Sequence, residues 1–469
     1  MELLLNKEEK YIFIETFGCQ MNENDSERIL GILKRLNYKP TDEPYKADMV
    51  ILNTCSIRDK AEQKIYSALG RLKKLKTYKP DLIIGVGGCV AQQEGEKLLR
   101  RAPHLDIVFG THNIHHLPDL ISKVKLNKSR SALTEFSDFI EEESFAYTYE
   151  KDYAKNLSQR VKAFVTVMRG CDNFCSYCIV PYVRGREMSR KSNDILQEVE
   201  RLAEAGIKEI TLVGQNVNSY GNKEEDISFA ELLRAVCRAD GIERIRFITS
   251  HPKDMSEDLI ELFGEEKKLC RYIHLPVQSG SNTILKRMSR GYTREDYIGK
   301  VYKLKRFYPD IGITTDIIVG FPGETQSDFL ETMNLIQEME YDNIFSFKYS
   351  PRPETKAAAF ADQIAEQIKE ERLAILQETQ RDITMRNNQK MLGKVVDILV
   401  EGRSKTTEGA YDNTINQLMG RTSCSKIVNI SGGNAYLGKI VPVRIEKISA
   451  NSLMGIMVKN REERINICC

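Results

Sequence analysis

Apolar residues in the first 120 positions fall in short blocks, YIFIETFGC, ADMVILNTC, DLIIGVGGC and LDIVFG. Between them they recur at helical spacing, in ENDSERILGILKRLN, DKAEQKIYSALGRLKKLK and EGEKLLRRA. Short β-rich runs mark strands buried on both faces, and the longer amphipathic stretches mark helices with one apolar stripe. The alternation predicts an N-terminal doubly wound parallel sheet of the α/β class. Cys19, Cys55 and Cys89 each fall at the carboxyl end of a predicted strand. In an open parallel sheet those ends converge on one edge, where ligands bind, so three thiols placed there can meet.

Residues 124–160 lose the periodicity and carry clustered charge, which reads as a linker with a domain boundary near 150. From KAFVTVMRGC onward the alternation resumes. The strands EITLVGQ, RIRFITS, YIHLPVQ, GITTDIIVGF and NIFSFKYS are separated by helical patterns, and the long helix DQIAEQIKEERLAILQETQRDITMRNNQKM closes the series. About six units are too few for a standard eightfold barrel and predict a central partial (β/α)6 barrel with its chemistry in the loops of one face. After Met391 the texture changes to short β-branched strands, KVVDILVEG, SKIVNISG, KIVPVRIEKI and SLMGIMV. These predict a C-terminal small antiparallel β-barrel, OB-like in size and pattern. The expected division is 1–150, 151–390 and 391–460, with a tail at 461–469.

The 469 residues are 41% hydrophobic, enough to give each of these domains a core. The formal charge of +2 does not announce a nucleic-acid binder, and residues 391–458 hold only eight Lys and Arg against five Asp and Glu. No apolar run approaches the roughly 20 residues of a membrane span, and the apolar patch in MELLLNKEEK is too short for a signal-peptide core. The expectation is a cytoplasmic protein with no membrane association. In that compartment eleven cysteines, an odd number, are better read as metal thiolates than as a disulfide framework.

Cys171, Cys175 and Cys178 lie in MRGCDNFCSYCIVPYVRGRE, where the first barrel strand gives way to a loop. Iron-sulfur cubanes take one thiolate per iron, so three cysteines leave one iron open to a non-protein ligand. The competing reading is a zinc site completed from elsewhere, against which the domain offers no second cysteine pair and no histidine close in sequence. The C-x-x-x-C-x-x-C triplet, with Tyr177 before its last cysteine, resembles the motif of the radical S-adenosylmethionine (SAM) superfamily. That resemblance implies a [4Fe-4S] cluster whose open iron is chelated by SAM and which cleaves it to a 5'-deoxyadenosyl radical. The protein's part is to position the cofactor and exclude water.

ETFGCQMN, LNTCSIRDKAEQK and GVGGCVAQ are similar to the N-terminal domain of the methylthiotransferases. The resemblance implies that Cys19, Cys55 and Cys89 bind an auxiliary [4Fe-4S] cluster, also with an open iron; the plain alternative is cysteines buried in strands. GCQMN, NTCSIRDKA and HLPVQSGSNTILKRMSRGYTRE resemble the tRNA branch that modifies N6-isopentenyladenosine beside the anticodon, over residues 10 to 458, with the C-terminal barrel as a TRAM domain. The implied reaction uses two SAM molecules: one methylates sulfur on the auxiliary cluster and one supplies the radical that activates carbon 2 of the adenine. The implied partners are a tRNA anticodon stem-loop, an electron donor such as flavodoxin or ferredoxin, and a sulfur or cluster donor. Two alternatives stay open on the residues: the same chemistry on threonylcarbamoyladenosine or a ribosomal-protein aspartate, and a non-catalytic iron-sulfur protein for RNA binding or electron transfer.

For SAM, the resemblance and the strand-end positions indicate Tyr177 against the adenine, Gln215 and Asn216 where much of the superfamily carries a glycine-glycine-glutamate clamp, and Ser250, Gln278 and Asp316. They also indicate the backbone of Val319, Gly320 and Phe321. Each of these also suits ordinary loop and cap chemistry. Arg403, Lys405 and Arg421 are the expected RNA phosphate contacts, against a solvated charged face. Cys237 lies on the apolar face of FAELLRAVC and reads as core; Cys270 and Cys424 lack partners at ligand spacing. His112, His115 and His116 in THNIHH read as loop histidines facing solvent, and the Cys468–Cys469 pair is assigned no function. The family usually has glycine where Glu354 stands, which puts that turn in question.

Overall fold

The computed structural model describes residues 9–56, 59–136, 160–223, 226–404 and 417–458. The boundary expected near 150, Lys405, and the tail with Cys468 and Cys469 lie outside the described residues. The chain falls into two compact units, the first comprising Met1–Ala154, Met168–Asp172 and Cys178–Arg190, the second Lys155–Val167, Asn173–Tyr177 and Lys191–Cys469.

The first unit is built on β1 (Lys10–Phe17), β2 (Tyr38–Pro40), β3 (Met49–Thr54), β4 (Ile83–Gly88), β5 (Ile107–Phe109) and β6 (Ser131–Leu133), all parallel in the order β2-β1-β3-β4-β5-β6. The side chains alternate between two buried faces. Val50, Leu52, Ile84, Val86 and Val108 pack under Ile65, Leu69 and Leu98. Ile12, Met49, Ile51, Ile83 and Phe109 pack under Ile29, Leu33, Leu117 and Ile121. Helices therefore cover both faces, as the continuous apolar strands predict. The chain order reverses between β1 and β3, and such a switch point opens a crevice at the carboxyl ends of the strands. Residues 124–133, expected as linker, instead finish the helix Leu117–Asn127 and form β6. An edge strand of three half-buried residues is too short to leave a periodic signal.

In the second unit β7 (Lys162–Thr166) opens the barrel. The next strand, β8 (Met168–Arg169), belongs to the first unit, where it pairs antiparallel with β9 (Met188–Ser189). β10 (Glu209–Val213), β11 (Arg244–Phe247), β12 (Tyr272–His274), β13 (Gly312–Val319) and β14 (Asn343–Lys348) follow. The sheets β11-β10-β7 and β12-β13-β14 are parallel and joined by a bridge from Ile245 to Leu269, giving the six-stranded open barrel. The helix Arg294–Phe307, absent from the elements expected, is announced by its capping box, in which Thr293 and Asp296 exchange hydrogen bonds.

β15 (Val395–Arg403), β16 (Gln417–Thr422), β17 (Ile427–Ser431), β18 (Ile440–Ile448) and β19 (Leu453–Met457) close a barrel in the order β15-β16-β17-β19-β18. Every pair is antiparallel except β17–β19, which is parallel and departs from the all-antiparallel expectation. This barrel is fastened to the (β/α) strands by two buried arginines of β11. Arg244 donates to the carbonyls of Arg421 and Asp397, and Arg246 to those of Thr422 and Ser423 at 2.8 and 2.9 Å. A Cβ at Gly312, where β13 begins, would stand 2.6 Å from the Cys424 carbonyl oxygen, so glycine is what permits the approach.

Candidate metal and cofactor sites

In the first unit, β1, β3 and β4 end in register, with Phe17 opposite Thr54 and Thr54 opposite Gly88. Cys19, Cys55 and Cys89 follow those ends directly. The turns are stitched by buried amides: Asn22 Nδ2 donates to Asn53 Oδ1 at 3.2 Å and to the Thr54 carbonyl, Asn53 Nδ2 donates to the Asn22 carbonyl at 2.7 Å, and Thr54 Oγ1 donates to the Gly87 carbonyl. Gly88 has φ +89°, and a Cβ there would meet the Thr54 carbonyl oxygen at 2.5 Å. The asparagines of GCQMN and LNTC and the glycines of VGGC are thus the scaffold of the cysteines.

Cys19 is the N-cap of the helix Gln20–Arg35. A hydrogen bond from the Cys55 thiol, the Arg184 charge and the backbone N–H groups of Asn22 and Met21 outweigh burial and hold its thiol down at about 6. Burial pushes the Cys89 thiol up, against the pull of Arg184. Arg184 Nε donates to Cys89 Sγ at 3.2 Å, and its Nη1 is ion-paired with Asp25 at 2.8 Å. Burial alone would lower the arginine, but Asp25, Cys89 and Cys19 raise it, so it stays charged. The helix Val180–Arg184 that carries it is held by Thr111 Oγ1, which donates to the Val183 carbonyl, and by His112 Nε2, which donates to the Arg184 carbonyl at 2.9 Å. His112 is therefore buried rather than facing solvent, because its ring is spent on that carbonyl; His115 and His116 are half-buried.

The residues fit a cluster: one thiol is already acidic, a second bonds to it, and a fixed cation within reach of Cys19 and Cys89 offsets thiolate charge. Among the described residues no group of three His, Cys, Asp or Glu side chains is set for a single ion. A cubane asks something else, since each thiolate takes its own iron.

The loop of Cys171, Cys175 and Cys178 is divided between the units. In the first, Asp172 accepts from Arg186 Nε at 2.7 Å and from the Glu187 N–H. In the second, Cys175 is buried, with Arg290 Nη1 donating to its Sγ at 3.4 Å and His251 Nε2 at 3.9 Å. Burial, reinforced by Arg290, pulls His251 down to about 2, so the imidazole is neutral. Arg290 also donates to Tyr177 Oη at 3.4 Å and to the Pro276 carbonyl at 2.7 Å. Ser176 ties the loop down through its N–H to the Met288 carbonyl and its hydroxyl to the Arg287 carbonyl. His251 and Arg290 were not singled out in the sequence; they sit in TSHPKD and SRGYT, 76 and 115 residues from Cys175.

Of the residues expected around SAM, Gln215 and Asn216 follow β10, Ser250 follows β11, Gln278 follows β12, and Val319 ends β13 with Gly320 and Phe321 after it, whereas Asp316 lies within β13 and Tyr177 in the cysteine loop. Tyr177 packs into one apolar cluster with Phe321, Ile318, Met288 and Tyr349. Asn216 donates to Asp254 at 2.7 Å, and Ser250, adjacent to His251, has a buried hydroxyl with no hydrogen-bond partner among the described residues. Gln278 has φ +73° and bridges to β13, its N–H donating to the Asp316 carbonyl at 2.8 Å. Gln215 is half-buried in the turn after β10, and the Val319 side chain is fully buried, so only its backbone is available. Gly320 has φ +69° and donates its N–H to Glu324. Glu354 has φ +65°, in the left-handed region where glycine is the comfortable residue.

Glu324 is buried, and burial pushes its carboxyl up to about 7 although Arg372, 3.2 Å away, pulls the other way. A folded-state value above the unfolded one favours folding at low pH. Stability is expected to fall as pH rises from about 4.5 to 7, and Glu324→Gln to flatten that slope in thermal midpoints measured across the range.

Of the expected phosphate contacts, Arg403 is exposed at the end of β15. Arg421 is engaged within its own barrel, ion-paired with Glu401 at 3.2 Å and donating to the Ser425 carbonyl. Cys237, Cys270 and Cys424 are buried. Among the described residues no helix is long and apolar enough to cross a membrane.

An open parallel barrel with a three-cysteine loop defines a class, and the comparisons agree with it. The model of the Radical SAM superfamily matches residues 165–336, that of the TRAM domain 389–458, and that of the uncharacterized protein family UPF0004 11–110. The structure resembles that of the radical S-adenosylmethionine methyltransferase TsrM from Kitasatospora setae, with a TM-score of 0.56 and 14% identity over 75% of this chain and 74% of that one, a likeness of fold. The chain is 53% identical over 448 residues, 95% of its length and 98% of the relative's, to the tRNA-2-methylthio-N(6)-dimethylallyladenosine synthase of Geotalea uraniireducens (strain Rf4). It is 50% identical, over 95% of its length and 99% of the relative's, to that of Syntrophotalea carbinolica (strain DSM 2380 / NBRC 103641 / GraBd1). The chain belongs to the tRNA-2-methylthio-N(6)-dimethylallyladenosine synthase family of radical SAM methylthiotransferases.

Proposed function

We propose that this protein is a tRNA methylthiotransferase that adds a methylthio group to carbon 2 of N6-dimethylallyladenosine beside the anticodon. The observation that carries the reading is identity of 50–53% across 95% of the chain to synthases of that name. Two [4Fe-4S] clusters and SAM, when bound, supply the electron, the sulfonium and the sulfur that the reaction needs.

The chain's own residues do the positioning. Cys19, Cys55 and Cys89 are proposed to hold the auxiliary cluster, and Cys171, Cys175 and Cys178 the cluster that engages SAM. The Asn22–Asn53 amides fix the first trio. Arg184 sets a permanent positive charge against Cys89, and Arg290 does the same for Cys175 beside a neutral His251 that takes no proton. Tyr177, Gln215, Asn216, Ser250, Gln278, Asp316 and the backbone of Val319, Gly320 and Phe321 are proposed to orient SAM. Arg403 and Lys405 are proposed to meet RNA phosphates, with Arg421 free to do so only if it leaves Glu401. A cytoplasmic location, an electron donor such as flavodoxin or ferredoxin, and a sulfur or cluster donor complete the proposal, as do domains divided near 150 and 390.

Mass analysis of tRNA nucleosides from a strain lacking the protein tests the function. Loss of the methylthio product with accumulation of N6-dimethylallyladenosine is expected; an unchanged methylthio product overturns it.

A further inference from the structure

The inner face of the open barrel carries two aromatic rings that its core does not use. Register sets Asp316 opposite Phe345 and Ile318 opposite Phe347, so the four share one face. The other face, with Ser346 and Lys348, is covered by the helix Glu366–Gln389 through Gln377 and Glu370. Phe345 is 46% and Phe347 41% exposed. Barrel interiors of this kind are ordinarily filled by branched aliphatic side chains. Two phenyl rings left half in water forgo that burial, which an aromatic occupant would restore.

Their surroundings define the occupant. His274 stands edge-on to Phe345, with centroids 5.6 Å apart, and its Nε2 lies 3.4 Å from the Asp316 carboxylate. His274 is held there by Thr314, whose Oγ1 lies 2.9 Å from its Nδ1, and with the Asp316 carboxylate it gives the ring face a polar border. Towards the carboxyl end of β13, Ile318 joins the apolar cluster that contains Tyr177, next to Cys178 in the chain. The face is continuous with the region proposed for SAM; Phe345 also lines a cavity that holds Arg421 and Lys426, each already paired with a carboxylate. A flat heteroaromatic with polar edges and a branched apolar substituent matches it, ring against ring and edge against His274 and Asp316.

We propose that Phe345 and Phe347 are the platform on which the dimethylallyl-bearing adenine of the tRNA is stacked once it is turned out of its loop, with His274 and Asp316 at the edge of the base. The proposal rests on the tRNA reading above and assigns the residues that select the substrate base.

The chain contains no tryptophan, so Phe347→Trp installs a single reporter at the platform. Full-length reconstituted enzyme is titrated with a synthetic anticodon stem-loop carrying N6-dimethylallyladenosine and with the same hairpin made abasic at that position. Quenching of the tryptophan by the first hairpin alone is expected. Phe345→Ala and Phe347→Ala should each weaken binding of the modified hairpin about tenfold while leaving the abasic one unchanged, and Phe345→Tyr should bind as wild type. Emission unchanged by the modified hairpin, or equal losses for both hairpins, overturns the platform while a wild-type enzyme that still makes the methylthio product preserves the function. A wild-type enzyme that neither binds nor modifies the hairpin removes both.

Discussion

Cys175→Ala is expected to abolish SAM cleavage and to reduce the iron of anaerobically reconstituted enzyme from about eight to about four per chain. Cys175 is buried, flanked by the Arg290 guanidinium at 3.4 Å and a neutral His251 at 3.9 Å. Neither neighbour can replace it. Arginine has no lone pair to give a metal, and the other nitrogen of the His251 ring accepts the Lys253 N–H at 3.2 Å. Alanine also leaves Arg290 with one acceptor fewer, but the Pro276 carbonyl and the Tyr292 hydroxyl still hold the side chain, so the fold should survive. The retained iron should belong to the trio Cys19, Cys55 and Cys89, in the first unit, whereas the substituted Cys175 lies in the second. Iron analysis together with a SAM-cleavage assay decides the matter. Eight irons in the variant would move the cluster elsewhere, and loss of all iron would show that the two sites load together.

The readability of these sites differed with the distance over which their parts interact. Strand-end placement made the trio Cys19, Cys55 and Cys89 visible, since short continuous apolar runs and a helical period alternate cleanly around each of them. The switch between β1 and β3 was not visible, because strand order is set by which edges pair and leaves no local trace. β6, with three half-buried residues, falls below any periodic signal. The helix Arg294–Phe307 could have been found from Thr293 and Asp296 three positions apart, a capping signature stronger than its shallow apolar stripe. His112 looked like a solvent-facing loop histidine because its partner, the Arg184 carbonyl, lies 72 residues away. Arg184 itself looked like one of several charges after a motif. Its meaning comes from Asp25 and Cys89, 159 and 95 positions earlier, and no spacing rule links them.

That linkage gives the second large effect: Arg184→Leu is expected to destabilise the first unit by about 3–5 kcal/mol in chemical denaturation of the metal-free protein. Asp25 and Arg184 are both about 3–4% exposed at the side chain, so neither can recover hydration when its partner goes. Arg28, at 3.7 Å from the other Asp25 oxygen, makes a looser contact than the 2.8 Å pair that is lost, and the buried Arg169 guanidinium also feels the Asp25 charge. The cost is expected to come mostly from a buried carboxylate that has lost its closest partner, rather than from the worth of the pair. This has a direct check, because Asp25→Asn removes the charge while keeping the shape. If the stranded charge is the cause, Arg184→Leu combined with Asp25→Asn should be less damaged than the sum of the two single changes by at least about 1 kcal/mol. Strict additivity would instead place the loss in the contact with Cys89 and in the packing of Ile179 and Val183 around it, which the single Arg184→Leu variant and the double variant would share.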